Sequence, residues 1–111
     1  MKIVFIGDIV GRSGREALKK YIPMIKDDFD PDAIIVNAEN AAAGYGLTEK
    51  IAEEIFSIGV NAITLGNHSW DQREMLSYIE NNHKIIRPIN YPSSVPGKGK
   101  IVIKLQNGKK I

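Results

Sequence analysis

Short apolar runs alternate along the chain with longer stretches in which apolar residues recur at helical spacing. The apolar runs have the length of buried strands, and they occupy residues 2–6, 33–36, 62–65 and 85–86. Strands that alternate with helices in this way favour an α/β fold with a parallel sheet and right-handed crossovers. The pattern therefore predicts mainly parallel strands in the order strand, helix, strand, helix, strand, helix, strand.

Three segments between these runs have the apolar spacing of helices. The first follows Gly14, and we expect Pro23 to kink or divide it. The second has Thr48 as a candidate N-cap and ends at Gly59. We expect the third to begin at Asp71, whose carboxylate can cap the free N–H groups. The residues expected on the buried faces of the helices are Leu18, Tyr21, Ile22, Ile25, Ile51, Ile55, Ile58, Met75, Leu76 and Ile79.

The C-terminal quarter of the chain has a different pattern. Residues 87–100 are rich in Pro, Gly and Ser and predict a long irregular loop, a kind of segment that is often functional in compact domains. Residues 101–105 predict a strand, and Asn107 with Gly108 indicates a two-residue hairpin turn. A return strand of residues 109–111 is too short to be well stabilised. We therefore expect the chain to be part of a longer polypeptide, interrupted after Ile111.

Composition restricts the classes of protein to which the chain can belong. With 111 residues, 43% hydrophobic and 25% charged, it has the profile of a single globular domain. No apolar run approaches the ~20 residues that span a bilayer, and the N-terminus lacks a signal-peptide pattern. We therefore expect a cytoplasmic protein that does not act at a membrane. The absence of cysteine excludes disulfides and thiolate metal ligands.

The net charge of +2 is unevenly distributed, because no acidic residue follows Glu80. A basic segment of this kind can follow a nucleic-acid backbone, but lysines also protect exposed edge strands from pairing with other chains. We favour the second interpretation, since only Tyr91 is available in this segment to stack on a base. The basic residues concerned are Lys84, Arg87, Lys98, Lys100, Lys104, Lys109 and Lys110.

Polar side chains follow three of the predicted strands at the point where each strand ends. Asp8 comes after the first strand, and Glu39 and Asn40 come after the second. Asn67 and His68 come after the third. In an open parallel sheet the carboxyl ends of the strands share one edge, and ligands bind in the crevice outside it. These five side chains are therefore expected to converge on one site.

Carboxylate, amide and imidazole groups in one site are typical of metal-assisted phosphoester hydrolysis. Two cations about 3.5–4 Å apart activate water and stabilise charge on the phosphate. Glu39 belongs to the central cluster and is the natural bridge between them, and His68 is well placed to donate a proton to the leaving oxygen. Taken singly, Asp8 or Asn67 is more often a loop or helix cap than a ligand. The prediction therefore depends on the joint occurrence of three clusters at successive strand ends.

Other features of the sequence have less specific interpretations. The glycines near the first strand do not match the dinucleotide-binding fingerprint, and no phosphate-binding loop motif occurs. Residues 41–48 are small and glycine-rich before a helix, so they can hold an anion or act as a flexible connector. His83 is interpreted as structural. Trp70 can either floor the pocket or pack behind the third strand.

Four motifs lie at the predicted strand ends and in the long loop: Gly-Asp-Ile-Val-Gly-Arg at 7–12, Asn-Ala-Glu-Asn-Ala-Ala at 37–42, Gly-Asn-His at 66–68 and Arg-Pro-Ile-Asn-Tyr-Pro at 87–92. Together they resemble the YmdB-like bacterial metallophosphoesterases, a branch of the calcineurin-like superfamily. The first motif departs from the superfamily pattern D-x-H, because Val10 stands two positions after Asp8. The resemblance implies that Asn40 takes over from the missing histidine.

The resemblance implies a fold and an activity. The fold is the N-terminal half of a metallophosphoesterase-type sheet sandwich flanked by helices, with residues 1–111 forming the N-terminal portion of a single domain. The activity is hydrolysis of cyclic nucleotides, either 2′,3′-cyclic or 3′,5′-cyclic, by a dinuclear metal site. Family members have a second half that contributes further histidine ligands, so this chain carries about half of the active site and is expected to be inactive alone.

The resemblance also implies roles for the five polar residues. Asp8, Glu39 and Asn40 are expected on one metal ion. Glu39 and Asn67 are expected on the other, with His68 as the catalytic acid. The expected cofactors are two divalent ions, Fe or Mn in the first place and Zn or Mg as alternatives.

Two other hypotheses concern what the protein binds. A non-catalytic nucleotide- or RNA-binding α/β module would hold its ligand through glycine-rich N–H groups and the basic segment, so its affinity would depend on salt and not on chelators. A half-covered sheet would expose apolar surface, and we therefore also expect a homo-oligomer. A phosphodiesterase would instead bind a small-molecule phosphodiester, for which an RNA-derived cyclic phosphate is a candidate.

Overall fold

In the computed structural model, which describes residues 1–111, strands and helices alternate in the order that the sequence predicts. The elements are β1 (Ile3–Ile6), α1 (Gly11–Phe29), β2 (Ala33–Asn37), α2 (Glu49–Ser57), β3 (Ala62–Thr64), α3 (Met75–Asn81) and β4 (Ile85–Ile86).

The four strands form one parallel sheet in the order β1-β2-β3-β4. The register pairs Ile6 with Val36, Val36 with Ile63, and Ile63 with Ile85, so these side chains share one face. Right-handed crossovers between sequential neighbours all return to the same side of a sheet, and the helices therefore cover this face. The predicted α/β fold class is confirmed. The helices contribute Leu18, Ile22, Ala52, Ile55, Met75 and Ile79 to the single core.

The opposite face of the sheet is open at β1. Ile3 and Phe5 are 46% and 59% exposed on this strand, which is also an edge of the sheet. All four residues of β1 are apolar, which is the pattern of a parallel strand that is buried on both faces. The strand β1 thus has the sequence of a strand that is covered on both faces, although one of its faces is exposed in this chain.

Two helices begin at positions other than those expected. The first, α1, starts at Gly11 instead of after Gly14, and it is not divided at Pro23. The third, α3, starts at Met75, so the expectation that it begins at Asp71 was wrong. Residues 67–74 form turns and bends, and the Asp71 carboxylate bonds to a side chain instead of capping a helix.

The start of α2 and the buried faces agree better with the pattern. The Thr48 hydroxyl accepts a hydrogen bond from the Ile51 N–H at 3.2 Å, which confirms the predicted N-cap. Tyr21 and Leu76 are exposed, so their expected burial was wrong. None of the three helices combines the length and the hydropathy that a membrane-spanning segment requires.

Residues 101–105 do not form the predicted strand. A single antiparallel bridge joins Lys104 to Lys110, beside a hairpin loop of three residues and not two. The Leu105 N–H donates to the Lys109 carbonyl at 2.8 Å, and Gly108 closes the loop with φ +81°. Ile103 and Ile111 exchange two further main-chain hydrogen bonds, at 2.8 and 3.0 Å.

Candidate active site

The loops that follow β1, β2 and β3 meet at the carboxyl edge of the sheet. The Gly11 N–H donates to the Asn40 carbonyl at 2.9 Å, which joins the first two loops. The Ala38 N–H donates to the Thr64 carbonyl at 3.1 Å and ties the second loop to the end of β3. These main-chain bonds hold the three predicted polar clusters next to one another.

Asp8 and Asn40 are in direct contact across the first two loops. The Asn40 amide nitrogen donates to a carboxylate oxygen of Asp8 at 2.7 Å. Asp8 also has a positive φ of 44°, a strained conformation for a residue other than glycine and one that is common at functional sites. The bond uses the nitrogen of the Asn40 amide, so its oxygen remains available as a ligand.

Glu39 and His68 are in contact across the second and third loops. One carboxylate oxygen of Glu39 accepts a hydrogen bond from the His68 main-chain N–H at 3.1 Å. The carboxylate also lies against Gly66, where a side chain would overlap with both of its oxygens. Asn67 is exposed and directly precedes His68 in the same turn. The structure therefore brings Glu39 together with the main chain of His68, whereas the Asn67 side chain makes no hydrogen bond with either residue.

The close approach of Gly66 to Glu39 predicts that Gly66→Ala displaces the carboxylate. We expect the Mn²⁺ affinity of the full-length protein to fall by about 10- to 100-fold, the range found when a group that orients a metal ligand is altered. Gly7→Ala is the matched control, because a methyl group at Gly7 would lie 4.0 Å from the nearest atom of Phe5. Neither glycine has a positive φ, so backbone strain does not distinguish the two variants. Equal Mn²⁺ affinities in a calorimetric titration would contradict the prediction.

His68 is oriented by Asp71, a partner that the sequence reasoning missed. The His68 Nδ1 atom lies 2.6 Å from a carboxylate oxygen of Asp71, and about a third of each side chain is exposed. A carboxylate at Nδ1 accepts a hydrogen bond from that nitrogen, so it fixes the position of this proton and the orientation of the ring. The other ring nitrogen, Nε2, is left for a substrate. The sequence offered one signal for this contact, because His68 and Asp71 are three residues apart. A turn brings residues at this spacing together as readily as a helix does.

The turn that carries His68 is also held from the long loop after β4. The Ser69 and Tyr91 hydroxyls both donate to the Gly66 carbonyl, the second at 3.1 Å. Ser69 is fully buried. Tyr91 therefore joins the loop after β4 to the turn that carries His68. Its position in an irregular segment of the sequence did not predict this contact.

Residues 41–46 form a compact loop against the site. The Gly44 N–H donates to the Asn40 carbonyl and the Ala42 N–H to the Gly46 carbonyl, both at 2.9 Å. From the other side, the Gln72 amide donates to the Tyr45 carbonyl at 2.7 Å. The loop is thus fixed at both ends to segments that carry site residues.

The polar residues of the site are of the types that bind divalent cations, but they supply only some of the ligands that such a cation needs. Asp8, Glu39, Asn40 and Asn67 offer carboxylate and amide oxygens, which suit Mg²⁺ and Mn²⁺. No three Asp, Glu, His or Cys side chains of the chain form a group that holds a metal. The chain therefore presents two carboxylates and two amides as candidate metal ligands at this edge of the sheet.

The remaining candidates lie outside the site. His83 is exposed in the turn before β4, at the amino end of that strand. Trp70 is half-buried and packs against the core, in agreement with the second of its two interpretations. Arg87 is buried beneath the loop after β4, so it does not belong to an exposed basic segment.

The sequence of the chain is similar to a known protein family and to known proteins. A family model described as YmdB-like protein matches residues 4–111. The 2′,3′-cyclic-nucleotide 2′-phosphodiesterase of Bacillus subtilis (strain 168) is 46% identical over 111 residues, which are 100% of this chain and 42% of that protein.

Two crystal structures resemble the fold closely. A hypothetical protein from Thermus thermophilus has a TM-score of 0.88 at 35% identity, over 99% of this chain and 42% of that one. A phosphatase from Mycoplasma pneumoniae has a TM-score of 0.85 at 38% identity, over 92% of this chain and 38% of that one. The chain spans about two fifths of the length of these relatives.

Proposed function

Because the chain belongs to the YmdB-like family, we propose that it supplies part of the active site of a metal-dependent phosphodiesterase. The observation that carries the proposal is the hydrogen bond of 3.1 Å from the His68 N–H to the Glu39 carboxylate. It puts a candidate metal ligand beside a candidate proton donor at the edge where α/β sheets bind ligands. The name of the B. subtilis relative supports this class of reaction.

Two divalent cations are the proposed cofactors, with Mn or Fe favoured over Zn or Mg. Asp8, Glu39 and Asn40 would hold one ion, and Glu39 and Asn67 the other. When bound, the ions would supply an activated water and positive charge facing the phosphate. The bond from Asn40 to Asp8 contributes by fixing two of these ligands relative to each other before binding.

His68 is the proposed general acid. Its Nδ1 is engaged by Asp71, so the proton that it transfers is the one on Nε2. When water attacks the phosphorus of a 2′,3′-cyclic nucleotide, its oxygen bonds to phosphorus and the bond from phosphorus to O2′ breaks. The Nε2 proton goes to O2′, and one proton of the attacking water is released to solvent. The product is a nucleoside 3′-phosphate. Asp71 fixes the orientation of the ring for this transfer.

We propose 2′,3′-cyclic nucleotides, including those derived from RNA, as the substrates, with 3′,5′-cyclic nucleotides as the alternative. The activity for which the B. subtilis relative is named favours the former. We further propose that residues 1–111 are the N-terminal portion of one metallophosphoesterase domain. The incomplete ligand set, the greater length of the relatives and the open apolar face at β1 support this proposal.

Hydrolysis of 2′,3′-cyclic AMP in the presence of Mn²⁺ tests the proposed function. We expect turnover by the full-length gene product, loss of turnover after treatment with EDTA and recovery when Mn²⁺ is restored. Residues 1–111 alone are expected to be inactive. Turnover that persists in EDTA would refute the metal dependence. Nucleotide binding without turnover, weakened by salt and indifferent to EDTA, would instead favour the binding module.

A further inference from the structure

Tyr45 is an exposed aromatic residue beside the candidate active site. Tyr45 is 65% exposed, although both its main-chain N–H and its carbonyl form hydrogen bonds. The Tyr45 N–H donates to the Ala42 carbonyl at 2.9 Å, and its carbonyl accepts from the Gln72 amide at 2.7 Å. A backbone held by hydrogen bonds on both sides therefore presents an aromatic residue that is largely exposed to solvent.

The loop that carries Tyr45 lies against the segment that carries the proposed acid. A methyl group at Gly46 would lie 3.0 Å from the His68 carbonyl oxygen and 3.2 Å from Cβ of Asp71. Gly44 and Gly46 flank Tyr45 with φ of +86° and +78°, a conformation that favours glycine and gives a tight turn. The turn thus fixes Tyr45 one residue from the point where its loop contacts the His68–Asp71 pair.

No other aromatic residue combines high exposure with a position beside the site. Phe5 lies within β1, and Tyr21 and Phe29 lie on α1. Trp70 packs on the core, and Tyr91 uses its hydroxyl to hold the Gly66 carbonyl. Tyr45 is therefore the one exposed aromatic side chain at the edge of the site.

We propose that Tyr45 is the platform on which the base of a nucleotide substrate stacks, so that it determines preference for nucleotides over phosphodiesters without a base. The inference builds on the proposed phosphodiesterase function. Base stacking on an aromatic ring accepts every base but grows with the size of the π-face, so adenine and guanine bind better than cytosine and uracil. The contact forms in the substrate complex and persists in the transition state, so its loss raises KM more than it lowers kcat.

The test compares two substrates that differ only in the base: 2′,3′-cyclic AMP and methyl β-ribofuranoside 2′,3′-cyclic phosphate. In the full-length protein, Tyr45→Ala lowers kcat/KM for 2′,3′-cyclic AMP by about 5- to 150-fold, mostly through KM. It leaves kcat/KM for the base-free substrate unchanged. Tyr45→Phe and Tyr45→Trp retain the preference, because stacking needs the ring and not the hydroxyl. Tyr21→Ala, which removes an exposed tyrosine from α1, changes neither value.

An equal loss on both substrates would overturn the proposal, because it would show that Tyr45 only supports the loop. No loss on either would overturn it as well. If the wild-type protein hydrolyses neither compound, the phosphodiesterase function fails. The stacking proposal is then decided by the dissociation constants of adenosine 3′-phosphate and methyl ribofuranoside 3′-phosphate. It holds only if Tyr45→Ala weakens the first and not the second.

Discussion

Replacing Glu39 by glutamine is expected to abolish tight binding of Mn²⁺ to the full-length protein. Glutamine has the shape of glutamate and can still accept the hydrogen bond from the His68 N–H. Its single amide oxygen can bind one cation, as proposed for Asn40 and Asn67, but it lacks the negative charge and the second oxygen with which a carboxylate can hold two cations. Because Glu39 is the proposed bridge between both ions, the loss of affinity should exceed about 100-fold, the upper range for groups that only orient a ligand.

The measurement is an equilibrium titration with Mn²⁺, accompanied by thermal unfolding without metal. Glu54→Gln is the matched control, since Glu54 pairs with Lys19 at 3.5 Å on the exposed side of the helices and exposed pairs contribute little. We expect unchanged Mn²⁺ affinity in the control and similar unfolding temperatures for both variants without metal. Unchanged Mn²⁺ affinity in Glu39→Gln would refute the assignment of Glu39 as a ligand.

Replacing His68 by alanine is expected to lower kcat for 2′,3′-cyclic AMP by about 10²- to 10⁴-fold, the usual contribution of a general acid. The reason is that O2′ leaves as a strongly basic alkoxide unless Nε2 provides a proton. Mn²⁺ affinity is expected to remain, because the contact of His68 with Glu39 is made by the main chain. Asp71→Asn is expected to lower kcat less, because the asparagine oxygen can still accept a hydrogen bond from Nδ1 but holds the ring less strongly than the carboxylate does.

The choice of leaving group separates acid catalysis from structural damage. Bis(p-nitrophenyl) phosphate releases p-nitrophenolate, which is a stable anion and needs no proton. We expect His68→Ala to hydrolyse this compound with a much smaller loss than 2′,3′-cyclic AMP. An equal loss on both compounds would show that the alanine variant damages the site in another way.

The helix starts show which parts of the fold local sequence can specify. Thr48 caps α2 as predicted, because its hydroxyl satisfies the Ile51 N–H within the same turn. Asp71 has the same capping chemistry but does not cap α3, because its carboxylate bonds to the His68 ring in the preceding turn. The apolar segment at 101–105 likewise had the pattern of a strand, yet it does not join the sheet and pairs only with the residues just after it, through the bridge from Lys104 to Lys110.

The apolar runs by themselves determined β1 to β4 and their parallel order, since the alternation with helices allows few topologies. The same reasoning placed Asp8, Glu39, Asn40, Asn67 and His68 at one sheet edge, because the carboxyl ends of parallel strands coincide. Only the tertiary structure decided which of them touch: Asp8 with Asn40, and Glu39 with the His68 main chain. The tertiary structure alone revealed that the Asp71 carboxylate contacts the His68 ring and that the Glu39 carboxylate lies directly against Gly66. These contacts depend on loop conformations, which hydrophobic periodicity does not encode.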